Sequence, residues 1–142
     1  MSPLIRVLVI DDSAYNRRTI IKILNAIKGV EVLDYACDGE EGLRKVFDLK
    51  PDLITLDLEM PKIDGFEVLR QVKGAPYLMR IPIIVLTSST EEGDRALGYD
   101  CGANSYLVKP ISFAGFLAVV RNIGDYWLTL NVKPPLHDIS PE

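Results

Sequence analysis

Five polar residues stand where apolar runs stop. Asp11 and Asp12 close VLVI, Asp57 closes LITL, Thr87 closes IIVL and Lys109 closes SYLV. Two carboxylates about 5 Å apart repel by roughly 3 kcal/mol at an effective dielectric of 20, so three gathered together call for a cation among them. Oxygen ligands without Cys or His, with room left for water, suit Mg²⁺ better than a Ca²⁺ cage. Three carboxylates, Lys109 and one Mg²⁺ sum to zero formal charge. Such a set can take a phosphoryl group: a metal and a lysine neutralise its oxygens, the Thr87 hydroxyl adds a donor, and a carboxylate can attack to form an acyl phosphate. One Asp or Lys at a strand end is commonly a cap or a solvated loop residue, but five coincident placements are poorly explained that way.

The elements that must position these residues alternate along the chain. LIRVLVI (4–10) reads as a strand buried on both faces, with Asp12 or Ser13 as the N-cap of a following helix. Ile20, Ile23, Leu24 and Ile27 repeat at helical spacing, and Lys28 with Gly29 is expected to end that helix. Further strands are expected at 30–36, 53–56, 81–86 and 105–108, and helices at 39–49, 64–73, 91–100 and 112–127. Five βα units imply a parallel sheet with helices on both faces. Glu31 and Asp34 mark the second strand as a sheet edge. The expected fold is therefore α/β, a flavodoxin-like (βα)5 doubly wound parallel sheet of strand order 2-1-3-4-5, in which strands 1 and 3 are neighbours at the switch point where ligands bind. All five polar residues then gather at the carboxyl ends of the strands.

Composition narrows the function classes. The 142 residues suffice for one domain, and 48% hydrophobic with 25% charged residues is a globular composition. The net charge of −4, without a basic run, argues against DNA binding. Apolar runs fall far short of the ~20 residues that span a bilayer, and no signal-peptide core precedes the first strand, so no membrane association and a cytoplasmic location are expected. Cys37 and Cys101 lack partners at ligand spacing and are expected to be buried free thiols. His137, the single histidine, is far along the chain from any nucleophile, which removes a Ser-His-Asp triad.

The marks VLVIDDS, LITLDLEMPKIDGFEVL, IIVLTSS and SYLVKP, in that order, resemble the receiver domain of two-component response regulators over about residues 4–127. The resemblance implies that Asp57 accepts a phosphoryl group from the histidine of a partner sensor kinase. It also implies that Asp12, Asp57 and the backbone carbonyl of Glu59 hold Mg²⁺, with Asp11 assisting through water. Lys109 and Thr87 would contact phosphoryl oxygens, Tyr106 would swing inward as Thr87 moves, and Lys109–Pro110 would be a cis peptide. Glu59 and Ser89 hold the two positions that tune such sites. Phosphorylation would shift an existing equilibrium and alter the face made by helix 4, strand 5 and helix 5, from which an unknown downstream protein reads the signal. Gly93 and Gly98 are expected to soften helix 4.

The chain divides into a receiver domain, 1–127, and a C-terminal extension, 128–142. Phe113, Phe116, Leu117, Val120, Ile123 and Trp127 form one stripe of helix 5, expected to face the core. The stretch GANSYLVKPISFAGFLAVVRNIGDYWLTLNVKPP is similar to small single-domain receivers paired with phytochrome-type or hybrid histidine kinases, whose Trp-Leu tail contributes to dimer contacts. Apolar alternation in WLTLNV makes a homodimer arm around Trp127 plausible on physical grounds, with folding back onto helix 5 as the other reading. The expected function is a receiver without a separate catalytic domain, hence not an enzyme beyond gaining and losing its own phosphoryl group. A phosphorelay intermediate and a chemotaxis-type adaptor remain open alongside the phytochrome-associated regulator. A haloacid-dehalogenase-like phosphatase fits less well, because it wants D-x-D after the first strand. An FMN-binding flavodoxin shares only the fold, and Asp11 and Asp12 would repel its phosphate.

Overall fold

A computed structural model describes residues 4–127. Five strands, β1 (Ile5–Ile10), β2 (Val30–Ala36), β3 (Leu53–Leu56), β4 (Ile83–Thr87) and β5 (Ser105–Val108), alternate with helices α1 (Ala14–Asn25), α2 (Gly39–Leu49), α3 (Gly65–Lys73), α4 (Glu92–Asp100) and α5 (Phe113–Asp125). The sheet is parallel throughout, in the order β2-β1-β3-β4-β5. This is the flavodoxin-like arrangement expected from the alternation of elements.

The two sheet faces make two cores. Val7, Val9, Leu53, Ile84 and Leu86 pack under α1 and α5, whereas Leu8, Ile10, Ile54, Leu56, Ile83 and Val85 pack under α2 and α3. Alternate residues of each central strand thus serve opposite layers, which explains why β1, β3 and β4 are mostly apolar, with Arg6, Thr55 and Thr87 as their polar residues. The β2 edge departs from this: Glu31 and Tyr35 are exposed between buried Val30 and Ala36.

Four helices begin with a side-chain cap. Ser13, Asp38, Asp64 and Ser112 each accept the backbone N–H three residues ahead, satisfying one of the donors a helix start leaves free. At the opposite pole Lys73, on the last turn of α3, donates to the carbonyls of Met79 and Ile81 and to Asn104 Oδ1. Asn104 Oδ1 also accepts from Ile83 N at 2.9 Å, so one lysine ties the end of α3 to the starts of β4 and β5. Burial lowers the Lys73 pKa to about 8.

Several boundaries and burials differ from expectation. Helix α1 stops at Asn25, not at Lys28; Asn25 Oδ1 accepts Val32 N, and the chain turns back to β2 through Gly29 at φ 94°. Strand β4 begins at Ile83 because Pro82 has no N–H for the ladder, although its carbonyl accepts Ile54 N. Cys37 is exposed, not buried: Ala36 is the last inward residue of the edge strand, and Cys37 lies in the bend beyond it. Cys101 is partly buried against the α2/α3 core. Phe113 leaves the helix 5 stripe and is 59% exposed, since it opens the helix beyond the end of the sheet, whereas Phe116, Val120 and Ile123 are buried. Among the described residues, no helix is long and apolar enough to cross a membrane. The extension 128–142 lies outside the described residues, as does any dimer arm it makes; Trp127 itself packs against the α1/α5 core, edge-on to Tyr126.

Candidate functional site

Backbone pairing carried one step beyond the strands sets the site. Asp11 N donates to Ala36 O, Asp57 N to Ile10 O, and Lys109 N to Thr87 O, so the residue after each strand is held in register with its neighbour. Gly65 fixes the loop that follows β3. Its N–H donates to Leu58 O, and a Cβ there would stand 2.4 Å from Asp57 O, so α3 begins pressed against the backbone of Asp57.

The side chains converge accordingly. Carboxylate oxygens of Asp11, Asp12 and Asp57 lie within 4.8 Å of one another; Asp11 and Asp57 are buried, and Asp12 is exposed at the mouth. Lys109 Nζ is 2.7 Å from Asp11 Oδ2 and 3.8 Å from Asp57 Oδ1. Asp11 Oδ1 accepts Ser13 N, and Asp57 Oδ1 accepts Leu58 N. Arg17 also contributes, donating to the Asp11 carbonyl while stacking over the Tyr35 ring. Sequence reasoning missed Arg17, since a surface cation on the first turns of a helix carries no distinguishing pattern.

Electrostatics single out Asp57. Its pKa is raised to about 7, chiefly by burial; Lys109 pulls it down, and Asp11 and Asp12 push it up. A carboxyl so placed holds a proton or needs a nearby cation. The donor set is all oxygen, carboxylate in kind and open on the side of Asp12, which fits a hard divalent cation that keeps part of its water.

The remaining predicted residues fall around this cluster. Thr87 is fully buried at the end of β4, and its Oγ1 accepts Ser89 N. Glu59 is exposed in the loop after β3, and Ser89 is half-buried after β4. Tyr106 on β5 is turned inward: its ring lies against Gly98 of α4, and its hydroxyl is buried without a hydrogen-bond partner. Burial is the main cause that raises its pKa. Gly98 is therefore a point of close approach for a ring, and α4 continues through both Gly93 and Gly98. Lys109–Pro110 is trans, contrary to expectation. The two isomers of an X–Pro bond differ by only about 0.5–1 kcal/mol, and Lys109 reaches Asp11 and Asp57 from the trans bond.

Residues 7–121 match the response regulator receiver domain. The chain belongs to this family. The receiver is 51% identical over 107 residues to a protein-glutamate methylesterase/protein-glutamine glutaminase of Geobacter sulfurreducens, a match covering 75% of the chain and 28% of that enzyme. It thus spans under a third of the length of the first curated relatives it matches. Among solved structures it is similar to the Mn²⁺-bound response regulator Rcp1, with TM-score 0.83 and 31% identity over 92% of this chain and 99% of that one. It is also similar to the phosphorylated cyanobacterial phytochrome response regulator RcpA, with TM-score 0.85 and 33% identity over 93% of this chain and 99% of that one.

Proposed function

We propose that this receiver accepts a phosphoryl group on Asp57 from the histidine of a sensor kinase, in a Mg²⁺-dependent reaction. The observation that carries this reading is Asp57 itself: a buried carboxyl facing Lys109, with Asp11 and Asp12 close enough to share one cation. Asp11, Asp12, Asp57 and the carbonyl of Glu59 are the groups that would hold Mg²⁺, which when bound neutralises phosphoryl oxygens. Leu58 N–H occupies Asp57 Oδ1, which leaves Oδ2 to attack phosphorus as the P–N bond breaks and its electron pair returns to the imidazole nitrogen. Lys109 is the cation in reach of the transferred oxygens, and Thr87 the hydroxyl.

Exposure supports where partners meet the receiver. Tyr15, Ile111 and Phe113 are exposed apolar residues just past the strand ends that carry the site, where a kinase must approach to reach Asp57. Leu97, Tyr99 and Val108 expose a second apolar set on α4 and β5, which suits a downstream protein or a second copy of the chain. The near-complete coverage of RcpA and Rcp1 favours a phytochrome-type kinase as the donor and residues 128–142 as a dimer arm. The higher identity to methylesterase receivers favours a second reading, a chemotaxis-type adaptor.

Intact mass after incubation with acetyl phosphate, with and without Mg²⁺, tests the phosphoacceptor. A single phosphoryl adduct that requires Mg²⁺ and is lost in Asp57→Asn is expected; an adduct surviving in Asp57→Asn would reassign the site. Size exclusion of the same samples reads the dimer arm: a phosphorylation-dependent shift, abolished by deleting 128–142, is expected.

A further inference from the structure

Helix α4 starts unlike the other four. Glu91 at its N-cap makes no side-chain bond. The Glu91 N–H goes instead to Ser89 Oγ at 3.3 Å, and the Ser89 hydroxyl donates to Asp94 Oδ2 at 2.7 Å. Asp94 holds the third helical position, from which an acidic side chain in a capping box reaches back to the N-cap N–H directly. Here a serine hydroxyl stands between the two and bridges that half of the box, while the half in which the N-cap side chain accepts the Asp94 N–H is not made. The backbone N–H of the same serine donates to Thr87 Oγ1 at 3.2 Å. Ser89 thus touches the buried hydroxyl of the site with one polar group and the start of α4 with the other.

We propose that Ser89 is a positioning residue that couples the Thr87 hydroxyl to the first turn of α4, with Asp94 as its anchor. The proposal rests on the phosphoacceptor reading of Asp57 for its trigger. When Thr87 turns toward a phosphoryl group it gives up Ser89 N–H, Ser89 shifts, and α4 loses the cap.

Two further observations fit a device with two settings. Gly93, in the first turn of α4, faces open space, since nothing lies within 4 Å of a Cβ built there, and glycine weakens a helix relative to alanine. The buried Tyr106 hydroxyl makes no hydrogen bond of full geometry; Ser89 is the side chain placed to pair with it, and Asp94, Arg95 and Glu91 are the charges around it. In the present setting Ser89 is committed to Asp94 and Glu91. Once the relay opens, Tyr106 gains an acceptor, which offsets part of the lost cap.

Amide hydrogen exchange over residues 95–98 of the full chain, where the helical hydrogen bonds of α4 begin, tests this, on wild type, Ser89→Ala, Ser89→Thr and Thr87→Val, each before and after acetyl phosphate with Mg²⁺. Ser89→Ala and Thr87→Val are expected to lose roughly tenfold protection there without any phosphoryl donor, the size of a lost cap. Ser89→Thr keeps the hydroxyl and is expected to behave as wild type. Phosphorylated wild type should show the same loss, while phosphorylation should add under twofold to Ser89→Ala. Exchange in β1 and β3 controls for general destabilisation. Wild-type protection of residues 95–98 in Thr87→Val, or an undiminished phosphorylation response in Ser89→Ala, overturns the coupling. Intact mass of each sample keeps the failures apart: a wild type without adduct defeats the Asp57 reading, and Thr87→Val, which needs no phosphoryl group, still decides the relay.

Discussion

Lys109 is closer to Asp11 than to Asp57: 2.7 Å from the first carboxylate and 3.8 Å from the second, with the Lys109 and Asp11 side chains 10% and 2% exposed. Without a phosphoryl group the lysine serves mainly as the counter-ion of a buried aspartate.

Removing it should therefore cost stability before it costs signalling. Lys109→Ala is expected to destabilise the metal-free chain by about 3 kcal/mol, because an uncompensated buried carboxylate remains. The double variant Asp11→Asn/Lys109→Ala should recover part of that loss. Urea unfolding at pH 8 measures both; a single-variant loss under about 1 kcal/mol would show that the pair is solvated. Phosphorylated Lys109→Ala should also fail to show the exchange response of α4.

Asp57 makes stability depend on pH with an unusual sign. Its carboxyl titrates near 7 in the folded chain and near 3.8 when unfolded, so between those values the native state binds more protons. Its stabilising contribution is whole below the lower value and is lost as pH rises through about 7. The unfolding free energy of wild type relative to Asp57→Asn should thus fall from pH 5 to pH 8 by on the order of 1 kcal/mol or more, and saturating Mg²⁺ should flatten the slope. A flat difference without metal would mean that Asp57 is ionised across the range.

Gly65 should tolerate no side chain. Alanine is the better helix former by about 1 kcal/mol, yet its Cβ would sit 2.4 Å from Asp57 O, a backbone atom that cannot swing aside. Gly65→Ala is expected to destabilise by roughly 2 kcal/mol or more and to slow phosphorylation by acetyl phosphate, because the displaced backbone is that of Asp57, the proposed nucleophile. Wild-type rate and midpoint together would contradict this packing.

Thr55 offers the opposite change. Its hydroxyl is buried in β3 without a partner, so Thr55→Val should raise stability by about 1 kcal/mol and leave Mg²⁺ binding unchanged. Thermal unfolding with a Mg²⁺ titration checks both halves.

Much of this was legible in the residues themselves. Strand ends are readable because a buried parallel strand is mostly apolar and a charged residue seldom stands inside it; Asp11, Asp57 and Lys109 come just after β1, β3 and β5, and Thr87 closes β4. What escaped reading depends on contacts between elements. Cys37 is exposed because an edge strand bends away after Ala36, and Phe113 because α5 opens beyond the sheet, neither of which residue type reveals. Gly98 reads as a soft spot in a helix, and only the ring of Tyr106 beside it shows why a side chain is missing. The Ser89 relay was hidden because a capping box is recognised by its first and fourth residues, and here the hydroxyl sits two residues before the first.

Lys73 and Asn104 lie at the pole opposite the site, where three elements are stitched by one ammonium donating hydrogen bonds to neutral oxygens. That seam makes the domain resemble a book bound along its spine. Pages can lift at the fore-edge, where the strand-end loops and the start of α4 lie, while the binding keeps β4 and β5 in register. A domain so bound can yield at that margin while its cover stays closed.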